Sequence, residues 1–558
     1  MSVENVLATT LVEGDAPAPR PSFLSKARII ARPGFNRWLV PPAALAIHLC
    51  IGMAYGFSVF WLPLSRVLGG SQPLACPAQM PAWQELFTTQ CDWRISMLGW
   101  TYTLFFIFLG CSAALWGSWL EKAGPRKVGL VATACWCGGL LLSALGVYLH
   151  QLWLIWLGSG VIGGIGLGLG YISPVSTLIR WFPDRRGMAT GLAIMGFGGG
   201  AMVGAPLANS LMSFYAASGG QGVWQTFLTL ALIYLVFMLC GALAYRIPPI
   251  GWHPVGQAPA VTSGKGRMAS LSCEVHVSVA WRTPQFWLVW AVLCLNVSAG
   301  IGIIGMASPL LQEVFGGRLL GTEQSFAELS VGQLAQVAAI AAGFTGLLSL
   351  FNIGGRFFWA ALSDRIGRKS TFLLFFALGA LLYSALPSLG ALGSVALFVL
   401  AFCLIISMYG GGFATVPAYL ADLFGTQMVG AIHGRLLTAW SAAGIIGPVL
   451  VNYLREYQLA HGVARAQAYS VTLYILAGLL LAGLICNLLI RPVDRRHAMS
   501  EAQLAQARSL YKIDPHAQLC WAADTRSRPW VVLAWLAVGL PLLWGCWITV
   551  LQASQLFG

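Results

Sequence analysis

The sequence predicts an all-α protein that crosses a membrane many times, built as two six-helix halves with one extra helix near the C-terminal end. Two observations support this fold class. Hydrophobic residues make up 58% of the 558 residues and charged residues only 9%, which leaves too little charge to cover the surface of a soluble protein. The chain also repeats itself at an offset of 243 residues. A parallel duplication of membrane helices indicates two halves around a central path.

The repeat is clearest in one polar loop that follows the second helix of each half. An acidic residue, a basic residue, a glycine and a second basic residue recur there at one spacing. The paired positions are Glu121 with Asp364, Lys122 with Arg365, Gly124 with Gly367, and Arg126 with Lys369. The same offset aligns Pro174 with Pro417 and Gly187 with Gly430, so the repeat extends through the helices that follow.

Thirteen apolar runs are long enough to cross a bilayer as helices. In the first half they fall at about 39–65, 94–119, 127–149, 152–180, 187–214 and 223–246. In the second half they fall at about 284–310, 333–360, 370–388, 392–419, 431–454 and 468–490, and the last run is 529–553. The chain therefore divides into a tail (1–38), a first half (39–246), a polar linker (247–283), a second half (284–490), a basic segment (491–528) and the extra transmembrane helix (529–558).

The distribution of basic residues predicts the orientation. Only five arginines fall in the loops of one side, namely Arg66, Arg94, Arg318, Arg455 and Arg465, whereas the other side holds most of the remaining lysines and arginines. Because basic loops stay in the cytoplasm, we expect a cytoplasmic N-terminus, and thirteen spans then put the C-terminus outside. Residues 1–38 lack the apolar stretch of a cleavable signal peptide. The net charge of +14 is accordingly a topology signal, and we expect no nucleic-acid partner.

Two of the thirteen cysteines stand apart from the apolar helices. Cys76 and Cys91 lie in the polar loop between the first two spans, on the side predicted to face outwards. An oxidising compartment permits a disulfide between them, and two free thiols are the alternative.

The repeated loop resembles that of the major facilitator superfamily, whose pattern is Gly-x-x-x-(Asp/Glu)-(Arg/Lys)-x-Gly-x-(Arg/Lys). The second copy departs from it only at the first position, where Ala360 stands. Further segments resemble the oxalate/formate antiporter family within this superfamily: the glycine-rich 163–170 with Pro174, the stretch 286–312, and Gly354-Gly355-Arg356. The resemblance covers about 39–490. It implies exchange of small carboxylates across the bacterial inner membrane. The extra helix resembles a single-helix subunit that some members carry.

The resemblance implies that the repeated charges act as gates rather than as substrate ligands. The acids are expected to pair with basic residues and helix ends on the cytoplasmic side. The predicted gate residues are Glu121, Lys122, Arg126, Asp364, Arg365 and Lys369, together with Asp422 and Arg435. We expect the last two to form an ion pair across a short loop, and a contact with the substrate is the alternative for Arg435.

Arg356 is the predicted substrate cation. None of the eighteen acidic residues lies near the middle of a span, and a charge inside a bilayer is costly and usually functional. A guanidinium offers a planar fork that matches two carboxylate oxygens, and the family places an arginine of this helix in its anion site. A structural arginine that bonds helix carbonyls is the alternative.

Other polar and aromatic residues fall on helices that line the central path in this superfamily. Predicted substrate contacts are Tyr55, Tyr171, Tyr409, Trp440 and Asn296, because aromatic walls enclose the organic part of a small anion and hydroxyl groups donate to it. Packing is the alternative for each. His48 is a possible proton site because of its near-neutral pKa, although a hydrogen-bonded packing residue is favoured.

The sequence departs from the oxalate-exchanging members at one place. Those members pair the arginine with a lysine in the eleventh helix, and 433–455 contains no lysine. Burial of an unmatched second charge is expensive, so we predict a monocarboxylate rather than oxalate. The function expected is a monomeric secondary exchanger of small carboxylates in contact with membrane lipid. A proton-coupled symporter and a non-transporting sensor remain open. We expect no cofactor, no metal and no enzymatic activity, since no nucleophile–base set or metal-ligand cluster appears.

Overall fold

The computed structural model describes residues 22–554 except 70–73, 75, 78–79, 217–221, 250–251, 255–273, 305 and 510–522. Most of the predicted tail and linker, and part of the basic segment, therefore lie outside the described residues. The described chain is almost entirely helical. Only two isolated β-bridges occur in it, Ile30 with Ile247 and Val275 with Ala498.

The first half contains six long helices. They are α1 (Val40–Ile51, continued by a 3-10 helix Gly52–Phe60 and by Trp61–Leu64), α2 (Ile95–Ala123), α3 (Pro125–Tyr148), α4 (Leu152–Ile155, a π-helical turn Trp156–Gly163, and Gly164–Trp181), α5 (Arg186–Ala216) and α6 (Val223–Ala244). Short helices Lys26–Ile29, Arg37–Leu39 and Ala82–Glu85 complete this half.

The second half repeats the pattern, and one more helix follows it. Its helices are α7 (Pro284–Ile304, followed by Ala307–Phe315), α8 (Val331–Ile366), α9 (Arg368–Ala391), α10 (Val395–Phe424), α11 (Val429–Leu436 and Thr438–Ala460) and α12 (Ser470–Leu489), and the additional helix is α13 (Arg528–Ser554). Short helices are Val277–Ala280, Gly316–Leu320, Phe326–Glu328, Arg465–Gln467, Arg495–His497, Glu501–Ser509 and Thr525–Ser527. Twelve described helices have the length and hydropathy of a membrane span, and α8, with 36 residues, is the thirteenth long helix.

The repeated loops form matching turns. α2 ends at Gly124 and α8 ends at Gly367, and these glycines have φ angles of 83° and 89°. A positive φ is easily adopted only by glycine, so the next helix begins at once in both halves. This is the physical reason for the glycine shared by the two loops.

Helix packing follows the repeat as well. Within the halves, α3 packs on α6 as α9 does on α12, α1 on α5 as α7 does on α11, and α2 on α4 as α8 does on α10. Between the halves, α2 packs on α11 and α8 packs on α5. Because α2 corresponds to α8 and α11 to α5 in the repeat, exchanging the halves converts one of these contacts into the other. The interface between the halves therefore has a pseudo-twofold axis. This confirms the predicted fold class.

Two faces of the bundle are named by their landmarks. The motif face carries the loops at Gly124 and Gly367. The disulfide face carries the α1–α2 loop, where the sulfur atoms of Cys76 and Cys91 are bonded and their Cα atoms lie 5.0 Å apart. In the same loop Asp92 accepts hydrogen bonds from the backbone N–H groups of Leu68, Gly69 and Leu74, at 2.8–2.9 Å.

Candidate functional site

Arg356 lies on α8 at the centre of the bundle and is completely buried. Its Nε donates to Asn352 Oδ1 at 3.0 Å, one turn earlier on the same helix. Its Nη1 donates across the interface to the carbonyl oxygen of Ile194 on α5, at 3.1 Å. Gly410 on α10 makes room for this arrangement, because a Cβ there would lie 3.1 Å from Arg356 Cγ. The guanidinium thus lies between the two halves.

Two aromatic rings flank this guanidinium, Phe197 on α5 and Phe413 on α10. Trp440 on α11 packs against both of them and Tyr171 on α4 packs against Phe197 and Trp440, and we call these four rings the aromatic box. The Arg356 Cζ atom lies 5.5 Å from the Phe197 ring centre and 5.6 Å from that of Phe413. The Trp440 ring lies 4.3 Å from Phe413, 5.4 Å from Phe197 and 5.3 Å from Tyr171, between centres. Aromatic faces stabilise a cation at this range.

The box contains polar groups that the protein itself does not satisfy. Among the described residues, Arg356 Nη2, Trp440 Nε1 and Tyr171 Oη have no hydrogen-bond partner, although all three side chains are fully buried. Buried donors without partners are rare in native proteins. A small anion in the box would supply a partner for the guanidinium nitrogen and for the other two donors.

A cavity of about 510 Å³ extends from the middle of the bundle towards the disulfide face. Its lining includes Tyr55, Asn352 and Ile406, with residues of α2, α5, α7 and α11. Tyr55 Oη lies 3.0 Å from Tyr409 Oη, so one hydroxyl from each half meets the other at the inner end of the cavity. Arg356, one turn below Asn352, does not line it. The tyrosine pair therefore lies between the cavity and the aromatic box.

The remaining predicted central residues lie at the edge of the site. Asn296 is not a lining residue of the cavity and instead shares a small void with Tyr409 and Tyr383. His48 is completely buried, and its ring nitrogens face the carbonyl oxygens of Ala193 and of Tyr171, the latter at 3.3 Å. This agrees with the hydrogen-bonded packing role favoured for His48.

The two acids of the repeat contact helix ends of the opposite half. Asp364 accepts from the backbone N–H groups of Gly187 and Met188, both at 2.9 Å, in the first turn of α5. Glu121 lies against Gly430 in the first turn of α11, because a Cβ added to Gly430 would lie 2.8 Å from Glu121 Oε1. Gly187 and Gly430 are themselves equivalent in the repeat. A carboxylate at a helix N-terminus is stabilising, so both contacts stabilise the arrangement of the two halves seen here.

The basic residues of the repeat act within each half. Arg126 donates to the carbonyl oxygen of Tyr245 at the end of α6, at 3.4 Å. Its counterpart Lys369 donates to that of Leu488 at the end of α12, at 2.8 Å. Tyr245 and Leu488 are also separated by 243 residues. Cations at helix C-termini are stabilising, so each of these residues joins two helices within its own half and does not reach the other half. The other pair, Lys122 and Arg365, is exposed.

The predicted partnership of Asp422 with Arg435 differs from the structure. Asp422 accepts from Arg368 Nε at 3.2 Å. Arg435 donates to the carbonyl oxygen of Val277 at 2.9 Å and lies over the Trp281 ring, 5.7 Å from its centre. The reason is the short helix Val277–Ala280 near the end of the linker, which lies beside α11 and provides a carbonyl that the sequence did not reveal.

Two more ion contacts complete the motif face. Arg180 pairs with Glu121, and Arg368 pairs with Asp364, so each acid of the repeat also has an arginine of its own half. Lys26 of the N-terminal segment donates to the backbone carbonyl oxygen of Glu121. Burial lowers the Lys26 pKa to about 8, Arg180 acts in the same direction, and Glu121 opposes both.

Sequence reasoning missed Phe197, Phe413 and Asn352. The repeat carried a signal for the first, because Phe197 and Trp440 are separated by 243 residues and meet near the pseudo-twofold axis. Phe413 follows Tyr409 by one helical turn, and Asn352 precedes Arg356 by one, so helical spacing places each on the same face. Within the described residues, no group of three or more His, Cys, Asp or Glu side chains could hold a metal ion.

Comparisons with known proteins agree with this architecture. The sequence model of the Major Facilitator Superfamily matches residues 74–448 and 338–558 of this chain. An oxalate:formate antiporter of Oxalobacter formigenes is 27% identical over 74% of this chain and 83% of its own length. An apicoplast pyruvate carrier of Toxoplasma gondii is 27% identical over 63% and 68%. These relatives confirm the resemblance to the oxalate/formate antiporter family.

A solved structure agrees at the level of the fold. A major facilitator transporter, FucP, in the outward conformation is 14% identical, with a TM-score of 0.52, and the match covers 82% of this chain and all of that one. At this identity the likeness concerns the arrangement of helices alone. The superfamily match extends over more than half of the sequence and agrees with the duplicated halves seen here. The chain therefore belongs to the Major Facilitator Superfamily and is a multi-pass membrane transporter.

Proposed function

We propose that this protein transports small monocarboxylate anions by alternating access and that it works as an exchanger. The observation that carries the proposal is the buried guanidinium of Arg356 in the aromatic box, whose own Nη2 and two further donors of the box, Trp440 Nε1 and Tyr171 Oη, are unpartnered among the described residues. A carboxylate at this place would receive Arg356 Nη2 and the donors of Trp440 and Tyr171. The named activities of the two relatives, oxalate:formate antiport and pyruvate transport, support the same substrate class.

The number of cations favours one negative charge on the substrate. Within the described residues, Arg356 is the one lysine or arginine whose side chain contacts the aromatic box. α11 contributes no second cation to the box, because Arg435 donates to the carbonyl oxygen of Val277 instead. A second carboxylate would be buried without a counter-charge, and breaking the balance of a buried charge costs several kcal/mol. Formate, pyruvate and lactate suit the box better than oxalate does.

The orientation belongs to the same proposal. The motif face carries the basic loops of both halves, so we place it in the cytoplasm of a bacterium, with α13 ending outside. The cavity then opens towards the outside while Asp364 and Glu121 close the inside. Substrate would reach Arg356 by separating the Tyr55 and Tyr409 hydroxyls, one of which belongs to each half. Rocking of the halves would then move the site from one face to the other.

Counterflow in proteoliposomes tests the substrate class. Purified protein is reconstituted, loaded with unlabelled formate, pyruvate, lactate or oxalate, and then given the labelled anion outside. We expect labelled monocarboxylate to accumulate against its gradient, with oxalate the weakest substrate. Oxalate uptake at an affinity equal to or above that of every monocarboxylate would contradict the single-cation argument. Lack of accumulation with all four anions would contradict the carboxylate proposal.

Proton-coupled symport is the second candidate, because two buried histidines lie beside the box. His433 on α11 lies 5.9 Å from Tyr171 between ring centres, and its Nδ1 has no hydrogen-bond partner among the described residues. The same liposomes with an inward proton gradient and no internal anion distinguish the two. Uptake driven by the proton gradient alone would favour symport, and uptake that needs an internal anion would favour exchange.

A further inference from the structure

A groove on the outer surface of the bundle lies between α5 and α8 near the motif face. Its volume is about 520 Å³, and it is lined by Arg185 and Met188 of the first half and by Phe357, Phe358, Ala361, Leu362, Asp364 and Arg365 of the second. Phe357 and Phe358 are 41% and 57% exposed. The groove is separate from the central cavity, because the two share no lining residue.

The chemistry of the groove changes along its length. Phe358, Leu362 and Arg365 follow one another by four and three residues, and therefore lie on one face of α8. That face is apolar in the membrane-spanning part and ends in a guanidinium at the motif face. Across the groove the Arg185 side chain is 67% exposed, and its nearest carboxylate, Asp184, is 4.0 Å away. An apolar trough that leads to two cations matches a lipid whose head group is anionic.

The acid at the groove does not cancel these cations. Asp364 accepts from the N–H groups of Gly187 and Met188 and from Arg368, so its charge is already balanced by the helix end and by a cation. Arg365 is exposed and makes no ion pair with any described residue. One exposed guanidinium therefore remains on each side of the seam between the halves.

The position of α13 explains why the seam is open here. α13 contacts α5 near Met202 and Val203, and α8 at Gly346, all of which lie nearer the disulfide face than the groove. α13 thus covers the part of the α5–α8 interface nearer the disulfide face, and no described helix is seen to cover the part that holds the groove. A membrane-facing groove of this kind is accessible to lipid rather than to a soluble ligand.

We propose that this groove binds one anionic phospholipid, with its phosphate between Arg185 and Arg365 and an acyl chain along Phe358 and Leu362. Because the two arginines belong to different halves, the bound lipid joins the halves at the motif face and stabilises the state in which that face is closed. The site stands independently of the transported substrate.

Native mass spectrometry of the detergent-purified, delipidated full-length chain tests this site. The protein is titrated with phosphatidylglycerol, phosphatidylcholine or glycerol 1-phosphate, and the first bound molecule is counted. We expect preferential retention of one phosphatidylglycerol. The double variant Arg185→Gln/Arg365→Gln should bind it roughly 30-fold more weakly, about fivefold for each arginine. The matched variant Lys127→Gln/Arg491→Gln removes two exposed basic residues away from the groove and should bind as the wild type does.

Three outcomes would overturn the proposal. They are wild-type affinity in the groove variant, equal retention of phosphatidylcholine, and effective competition by glycerol 1-phosphate, which would indicate a site for a soluble phosphate. If the double variant does not elute as folded protein, the single variants Arg185→Gln and Arg365→Gln are measured in its place, with about a fivefold loss expected for each. The assay involves no transport, so its result is separable from that of the counterflow experiment.

Discussion

A single buried cation dominates this transporter at the scale of residues. Arg356 has Ala113 as its counterpart in the repeat, so only one half supplies the charge. Its burial is stabilised by Asn352, by a carbonyl of the opposite half and by two aromatic faces. The Arg356 Nη2 atom has no hydrogen-bond partner among the described residues, and a bound anion would supply one.

Replacement of Trp440 by phenylalanine tests the second donor. The variant keeps an aromatic ring in the box and removes Nε1, so a hydrogen bond to an anion is lost. We expect the half-saturating concentration in counterflow to rise about tenfold, since a hydrogen bond to a charged group contributes roughly 1.5–3 kcal/mol. Trp136→Phe is the matched control, because Trp136 is also buried with an unpartnered Nε1 but lies on α3. Equal losses in both variants would mean that only packing is affected.

His150 on the disulfide face predicts a pH dependence. Burial lowers its pKa, opposed by the hydrogen bond from Nε2 to the Cys91 carbonyl oxygen and by Asp92. At acidic pH the folded loop therefore binds fewer protons than the unfolded one. The stability of the loop is greatest above the ordinary histidine pKa, near 6.5, and it falls as the pH decreases below that value.

Hydrogen exchange of the 80–94 segment at pH 7.5 and pH 5, corrected for intrinsic rates, measures this effect. We expect faster exchange at pH 5 in the wild type. The variant His150→Asn should remove the difference between the two pH values. Asparagine tolerates the backbone φ of 51° at this position. Equal exchange of the wild type at both pH values would count against the titration.

At the scale of elements, we propose that two contacts between helix ends and acids control the motif face. Asp364→Asn weakens the bond to the α5 N-terminus and the pair with Arg368, so the face should open more often. A cysteine introduced at Ser176, which is buried behind Gly430, should then be labelled by a thiol reagent about tenfold faster. Asp184→Asn is the matched control, because Asp184 pairs with Arg37 within the first half. Unchanged labelling of the Asp364 variant would contradict the gate.

The additional helix α13 packs against α8 of the second half and against α5 and α1 of the first half, and its hydrogen bonds go to the first half. The backbone N–H of Asp524, ahead of α13, donates to the Gly34 carbonyl oxygen at 2.8 Å, and Trp535 Nε1 donates to the Trp38 carbonyl oxygen at 3.2 Å. Val538 packs on Leu45. α13 meets the second half at α8, where a Cβ on Gly346 would lie 3.8 Å from Thr549 Cβ. We infer that α13 moves with the first half and separates from α8 during transport.

Disulfide cross-links test this motion. The pair Gly346→Cys/Thr549→Cys has the Cβ separation of a disulfide and joins α13 to the second half, so oxidation should abolish counterflow and reduction should restore it. The pair Val203→Cys/Gly545→Cys joins α13 to the first half and should leave transport unchanged when oxidised. Full transport with the first pair oxidised would show that α13 and α8 do not separate.

Sequence patterns predicted the elements well because those patterns follow helix geometry. The span of every long helix, the glycine turns and the pseudo-twofold relation all follow from hydropathy and from one repeat. The Asp422–Arg435 pair was wrong, since sequence spacing does not show that Val277, near the end of the linker, lies beside α11. The position of Asn296 behind Tyr409 could not be predicted for a similar reason. A buried helix that is apolar all round has no polar face to indicate which of its side chains point towards the central path.

At the scale of the whole molecule, the two halves share their architecture and differ at the centre. Equivalent residues of the repeat make equivalent contacts at the motif face and in the helix caps of Arg126 and Lys369, and Phe197 meets Trp440 near the axis. The equivalence ends at Arg356, whose counterpart is Ala113. We propose that the duplication supplies the interface that rocks and that the difference between the halves supplies the anion site.

Counterflow of labelled monocarboxylate by Arg356→Lys tests this central claim most directly. Lysine keeps the charge and loses the planar fork that donates to two oxygens, and thermal unfolding of the purified variant shows whether the fold is intact. We predict that a folded Arg356→Lys protein loses at least about tenfold in transport, since paired hydrogen bonds to a carboxylate are among the strong ones, and that Arg356→Gln is inactive. Wild-type counterflow by either variant would show that Arg356 is a structural arginine and that the anion binds elsewhere.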